Sequence, residues 1–117
     1  MRCGQIIRNG AVWVGKVERA ASLPSRLRGL LGRDSLGPDA ALLIERCGAI
    51  HTIGMRFAID AVFLDRAWRV LRIEKNIRPG RLWVGGGWGA LRTLESEQGC
   101  VDWSPVKVGD VLVWSGP

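Results

Sequence analysis

The run FAIDAVFL, residues 57–64, is apolar on both of its alternating faces apart from one carboxylate. Phe57, Ile59, Ala61 and Phe63 fall on one parity and Ala58, Val62 and Leu64 on the other, where Asp60 also sits. This pattern fits a strand covered on both sides, so the rest of the chain must supply two layers around it. A carboxylate inside such a strand costs several kcal/mol unless it is paired, hydrogen-bonded or protonated. Asp60 therefore needs a partner, either as part of the scaffold or as part of a site.

The flanking sequence supplies further strands. QIIRNGAVWVGKVE, residues 5–18, gives two β-prone runs joined by Asn9-Gly10, the dipeptide suited to a type I′ hairpin turn. AALLIER, residues 40–46, reads as a strand, and WRVLRIEKNI follows the central run across Asp65-Arg66-Ala67, short enough for a second hairpin. RPGRLWVGGGWG, residues 78–89, is the chain's clear loop, ALRTLES is strand-like, EQGCVDWS has room for one helical turn, and VKVGDVLVW closes the chain as a strand. Between the first hairpin and AALLIER, the stretch ASLPSRLRGLLGRD predicts one helix. Ser22 is its N-cap, Pro24 lies in its first turn, Leu23, Leu27, Leu30 and Leu31 stand at helical spacing, and Gly32 is the stop. The expected class is α+β: a curled, mostly antiparallel sheet or partial β-barrel with one main helix plugging one side. Repeats and linkers are absent, so residues 1–117 form a single domain.

With 117 residues and 47% apolar content, the chain can close one hydrophobic core without disulfides or metals. Cys3, Cys47 and Cys100 are odd in number and widely spaced, so reduced thiols are expected. No apolar run approaches the roughly 20 residues of a membrane span and the N-terminus lacks a signal-peptide core, from which a cytoplasmic location is expected, with no membrane partner. The net charge of +6 is concentrated. Arg66, Arg69, Arg72, Lys75, Arg78, Arg81 and Arg92 face a single acid, Glu74, within residues 66–92, and Trp68, Trp83 and Trp88 lie among them. Arginine interleaved with aromatics suits phosphates and stacked bases, although a solvated arginine-rich edge over packed tryptophans gives the same pattern. In WRVLRIEKNI, parity puts Arg69 and Lys75 on one face and Arg72 with Glu74 on the other, which divides the charge.

Several blocks together carry a family resemblance. RLRGLLGRDSL, CGAIHTIGMRFAIDAVFLD, RVLRI with RPGR, LRTLESEQG and VKVGD resemble the successive blocks of the domain of unknown function 192 family across residues 17–114. An Arg-x-x-Gly-Leu piece is carried by Arg26, Gly29 and Leu30. The central block His-Thr-x-Gly-Met-Arg-Phe-x-Ile-Asp falls on His51, Thr52, Gly54, Met55, Arg56, Phe57, Ile59 and Asp60. Leu94, Glu95 and Gly99 carry a third block, and Gly109 and Asp110 a fourth. The chain departs from the family's pattern at Ala58, where proline is common, at Ile53, where an aromatic is common, and at Trp68, which occupies a turn position that takes glycine. The resemblance implies a small fold around a curved sheet and no particular activity.

The candidate site residues follow from the central block and the basic loop: His51, Thr52, Arg56, Asp60, Arg78, Arg81 and Trp83. Asp60 is expected to accept bonds from Thr52, backbone N–H groups and Arg56, fixing the path into the central strand. Glu95 reads as a residue that pairs with an arginine or caps the following turn, and Asp110 as a turn residue. Cys47 and His51 stand four apart, and with Cys3 and Cys100 they nominally offer a zinc set, but no second short-spaced pair exists, so no metal and no cofactor are expected. The leading expectation is a small non-enzymatic binding or accessory module for an anionic partner or ligand, with weak, nonspecific nucleic-acid binding. The alternative is a hydrolase-like enzyme using His51 with Asp60 or Cys47.

Overall fold

The computed structural model describes residues 2–22, 25–26 and 29–117. Nine strands are present among them: β1 (Arg2–Arg8), β2 (Ala11–Ala20), β3 (Ala40–Ile44), β4 (Ala49–Ile50), β5 (Ile59–Leu64), β6 (Val70–Ile77), β7 (Val84–Gly85), β8 (Arg92–Glu97) and β9 (Val113–Ser115). Seven form one sheet in the order β6-β5-β8-β3-β2-β1-β9, and β4 pairs with β7 in a separate ribbon. All pairings are antiparallel except β2 with β3, which runs Lys16 against Ala40 through to Ala20 against Ile44. A parallel pair needs a long crossover, and residues 21–39 provide it. Arg69 and Val111 form a backbone bridge, and Val70 N donates to Asp110 O at 2.8 Å, so the outer strands meet near one end only. The sheet is curled but not closed into a barrel.

β5, next to the edge strand β6, is buried along its whole length. Val62 and Leu64 pack with Ile6, Val14, Leu43 and Leu94 on one face, under Trp103 and Leu112. Ile59, Ala61 and Phe63 pack on the other with Leu42, Ile44, Ile77 and Val84. The two-sided parity of β5 thus maps onto two separate apolar clusters. Leu30, Leu31 and Leu36 of the crossover cover the second of them.

The expected α+β class, with its main helix, is corrected to an essentially all-β fold. Ser25 and Arg26 make a single helical turn: Arg26 N donates to Ser22 O at 2.9 Å, Gly29 N to Ser25 O at 3.1 Å, and the Ser22 hydroxyl accepts from Ser25 N at 3.3 Å, as an N-cap does. Gly29 then takes φ +51°, in the left-handed region, so the turn stops three residues before Gly32, the expected terminator. Leu30 and Leu31 lie in turns and cover the sheet without a helix, while Leu23, Pro24 and Leu27 lie outside the described residues. EQGCVDWS likewise forms a turn, with Cys100 N bonded to Glu97 O at 3.0 Å and Gly99 at φ +81°. Among the described residues no helix is long and apolar enough to cross a membrane.

Both hairpins form. Asn9 and Gly10 take φ +49° and +77°, the backbone a type I′ turn demands. In the second, Trp68 takes the positive φ of 65°. Asp65 Oδ1 accepts from Ala67 N at 2.8 Å and Arg69 N at 2.9 Å, which holds the turn, and the Trp68 ring lies under the Arg92 guanidinium at 4.4 Å. Arg92 is held in turn by Glu45 at 2.8 Å. The stacking offsets the strain of a bulky residue in a glycine conformation.

Asp60 is satisfied by backbone alone among the described residues: Oδ1 accepts from Asn76 N at 2.8 Å and Oδ2 from Gly99 N at 3.4 Å. Asn76 itself has φ +55°, so the carboxylate holds the irregular end of β6 and the turn after β8. Thr52 and Arg56, the other expected donors, bond elsewhere. Asp60→Ala leaves the Asn76 amide without its acceptor and is expected to destabilise the fold by about 1–3 kcal/mol, read as a lowered midpoint in chemical denaturation.

Candidate functional site

The chain leaves β4 directly into His51 and Thr52, and Thr52 organises what lies beyond it. Its buried hydroxyl donates to Arg78 O at 2.7 Å and accepts from Arg81 N at 2.9 Å. Its backbone repeats the link: Thr52 N donates to Arg81 O and Gly80 N to Thr52 O, each at 2.9 Å. Four bonds from one residue fix the turn 78–81, with Gly80 at φ +95°, and so place the exposed side chains of Arg78 and Arg81 and the strand β7 that comes after them.

The glycine run after β7 then presses onto the sheet. A Cβ at Gly86 would overlap Phe63 and one at Gly48 would overlap the Ala90 carbonyl, so these backbones approach where only glycine fits. The result is an open groove of about 590 Å³ walled by Arg81, Trp83, Arg72 and the backbone of residues 85–87. Arg72 bonds Gly85 O and Glu74, each at 2.7 Å, and braces the groove. Trp83, which lines the groove with Arg81, is 71% exposed, and Trp88 in the glycine run is 99% exposed. Of the remaining basic residues, Arg69 turns to Gly109 O and Arg92 stacks on Trp68, while the register shifts in the β5–β6 pairing break the single parity expected of WRVLRIEKNI.

On the other side of β4 is a smaller hollow of about 220 Å³. His51 and Cys47 lie at it with Arg26, and Glu95 of β8 forms its floor against Leu30 and Met55. Glu95 is buried, and among the described residues no group bonds its carboxyl. Burial pushes its pKa up to about 8, so it is a neutral acid at pH 7. Burial also pushes the Cys47 thiol up, and its Sγ donates to Ala49 O at 3.1 Å, which makes it a thiol and not a thiolate at neutral pH.

The seven residues singled out from sequence therefore divide. Arg81 and Trp83 line the groove, and Thr52 holds the turn that carries Arg78 and Arg81; His51 lines the smaller hollow; Arg56 pairs with Asp34 at 2.6 Å on the surface. Asp60 lies with Lys75, Asn76 and Gln98 in a different depression, apart from the hollow of His51 and Cys47. Among the described residues no three His, Cys, Asp or Glu side chains converge as a metal site would require. Glu95, expected from sequence to pair with an arginine or cap a turn, instead lines the smaller hollow, and its place in the Leu-Glu-x-x-x-Gly block is the signal that points to it.

Comparison with known proteins places the fold and the sequence together. The model of the domain of unknown function 192 family, described as an uncharacterised ACR, matches residues 5–114. The chain belongs to this family. It is 32% identical over 109 residues to a UPF0127 protein of Thermococcus sibiricus, covering 90% of this chain and 70% of that one. A second UPF0127 protein, from Thermococcus kodakarensis, is 30% identical over 112 residues, covering 84% of this chain and 71% of its own length. A crystal structure of a protein of unknown function from Novosphingobium aromaticivorans is similar with a TM-score of 0.81 at 20% identity, over 96% of this chain and 84% of the other, which supports the fold alone. Three of the blocks behind the family resemblance meet at the smaller hollow: Arg26, Gly29 and Leu30, then His51 and Met55, then Glu95.

The buried acid gives a pH signature. A carboxyl raised from an ordinary 4.5 to about 8 holds a proton in the folded state that the unfolded chain releases, so its contribution is fully present below pH 4.5 and is lost as pH rises through 8. Glu97, lowered by its bond from Leu36 N, acts at the acidic end and leaves this window clear. Wild-type stability is expected to fall between pH 5 and 8 with a slope of up to about 1.4 kcal/mol per pH unit. Glu95→Gln is expected to flatten that slope, measured by urea denaturation across the range.

Proposed function

We propose that this chain is a small binding module that recognises an anionic partner through the groove of Arg81 and Trp83. The observation that carries the reading is that an exposed guanidinium and an exposed indole share one wall of a groove whose geometry Thr52 and the glycine run hold fixed. Preset donors lower the ordering cost of binding, and the arginine surplus of the segment attracts polyanions over a distance set by salt. Trp83 and Trp88 offer faces on which bases stack regardless of sequence. Single-stranded nucleic acid is the partner chemistry that uses both features. Arg72 is committed to Gly85 and Glu74, so the groove charge free to meet a phosphate comes from Arg81, with the exposed Arg78 on the same turn, and the affinity is accordingly modest.

A labelled single-stranded homopolymer titrated from low to physiological ionic strength tests this. Binding is expected to be micromolar or weaker, indifferent to sequence, and to fall steeply with salt as counterions are released. Arg81→Ala is expected to weaken binding and reduce the salt slope by about one unit, while Trp83→Ala weakens binding with the slope retained. A salt-insensitive or strongly sequence-selective complex would falsify the reading.

A further inference from the structure

The smaller hollow differs from the groove in size, lining and exposure, and its chemistry is independent of the groove's. It is narrower than the roughly 300 Å³ at which drug-sized pockets begin, its walls are apolar, and its polar groups are few. We propose that it binds a small organic monocarboxylate with an apolar body, the ligand's carboxylate meeting the Glu95 carboxyl on the hollow's inner side and taking its countercharge from Arg26.

Charge balance selects this ligand. The titratable or charged groups at the hollow, among the described residues, are Arg26 from the crossover, Cys47 from the turn after β3, His51 after β4 and Glu95 itself. Across the sheet Glu95 is flanked by Leu42 of β3 and Ala61 of β5, neither of which carries charge. On its own strand Thr93 bonds Cys47 O, and Glu97 is turned to the Leu36 amide. With a neutral acid and a neutral thiol, Arg26 is the group whose charge is always present, and a monoanion cancels it. A cationic ligand would require Glu95 to ionise and would still leave Arg26 in excess. The buried acid without a described acceptor supplies the donor that a carboxylate uses best, since O–H···O⁻ bonds are the short, strong kind. Leu30, Ile50 and Met55 then cover an aliphatic or aromatic body.

The probes are 3-methylbutanoate, its amide and the matching amine, titrated by calorimetry into the intact chain at pH 7 and pH 9, with methyl NMR shifts locating the contact. The carboxylate is expected to bind at pH 7, to shift Met55 and Leu30 signals, and to weaken about tenfold by pH 9 as an acid of pKa near 8 loses its proton. Glu95→Gln keeps a donor at the same place and is expected to retain binding while losing the pH dependence. Arg26→Met is expected to weaken binding at both pH values, and His51→Asn to leave the pH response in place, which separates the imidazole from the acid. Preference for the amine with affinity rising with pH, shifts confined to residues of the arginine groove, a wild-type affinity that does not change with pH, or no binding of any probe to the folded protein would each overturn the proposal. Failure here leaves the salt-dependent groove reading untouched, because neither Glu95 nor Arg26 lines that groove.

Discussion

A strand buried on both faces is the constraint on which the rest of this fold depends. β5 buries every one of its residues, and burying both faces of a strand requires material on both sides. The first cover comes from β1, β2 and the segment from Val101 to Leu112, which close over Val62 and Leu64. The second comes from the crossover, the β4–β7 ribbon and the loop pressed onto Phe63. The arginine groove and the smaller hollow both lie within this second cover, because it is assembled from turns and a two-stranded ribbon that cannot tile a sheet face without gaps.

The same constraint explains which features are legible in the sequence. The parity of β5 and the Asn9-Gly10 turn are local properties, set by alternation and turn chemistry, and each appears in the structure, whereas the parity expected of WRVLRIEKNI is broken by register shifts against β5. The expected helix does not form because leucine spacing specifies an apolar face and says nothing of the left-handed φ at Gly29 that cuts the turn short. Glu95 is illegible for a related reason. In LRTLESE the polar residues Thr93 and Glu95 alternate with Leu94, which reads as a strand with one wet face, yet the crossover and β4 bury that face too. Burial of a polar parity is decided by segments far away in sequence, and no local pattern reports it.

Asp60 and Thr52 belong to one sequence block, and the structure gives them different work. Asp60 binds amides at Asn76 and Gly99, on chain segments that end β6 and follow β8, so it ties the sheet's own irregular ends. Thr52 binds Arg78 and Arg81 and ties the sheet's cover to the loop. Their separation follows from Gly54, whose φ of +81° turns the chain between them. Residues within ten positions of one another thus serve two different depressions, and sequence proximity alone does not make them one network.

The groove and the hollow also differ in what medium surrounds their charges, and this decides how each responds to conditions. Arg78 and Arg81 are exposed, so water and ions screen them within about 10 Å at 0.1 M salt and their attraction to an anion is strong only where salt is low. Glu95 lies where desolvation alone lifts its pKa to about 8, so bulk salt reaches it weakly and the proton becomes the variable that sets its state. β4 is the partition between the two regimes, with Ala49 lining both sides. A two-residue strand is enough for this because packing differs on its two sides: Leu30 and Met55 line the hollow beside the buried Glu95, while Arg81 stays exposed at the groove. Surface charge and buried acid can therefore coexist within a few residues of each other and answer to separate variables, ionic strength for the groove and pH for the hollow.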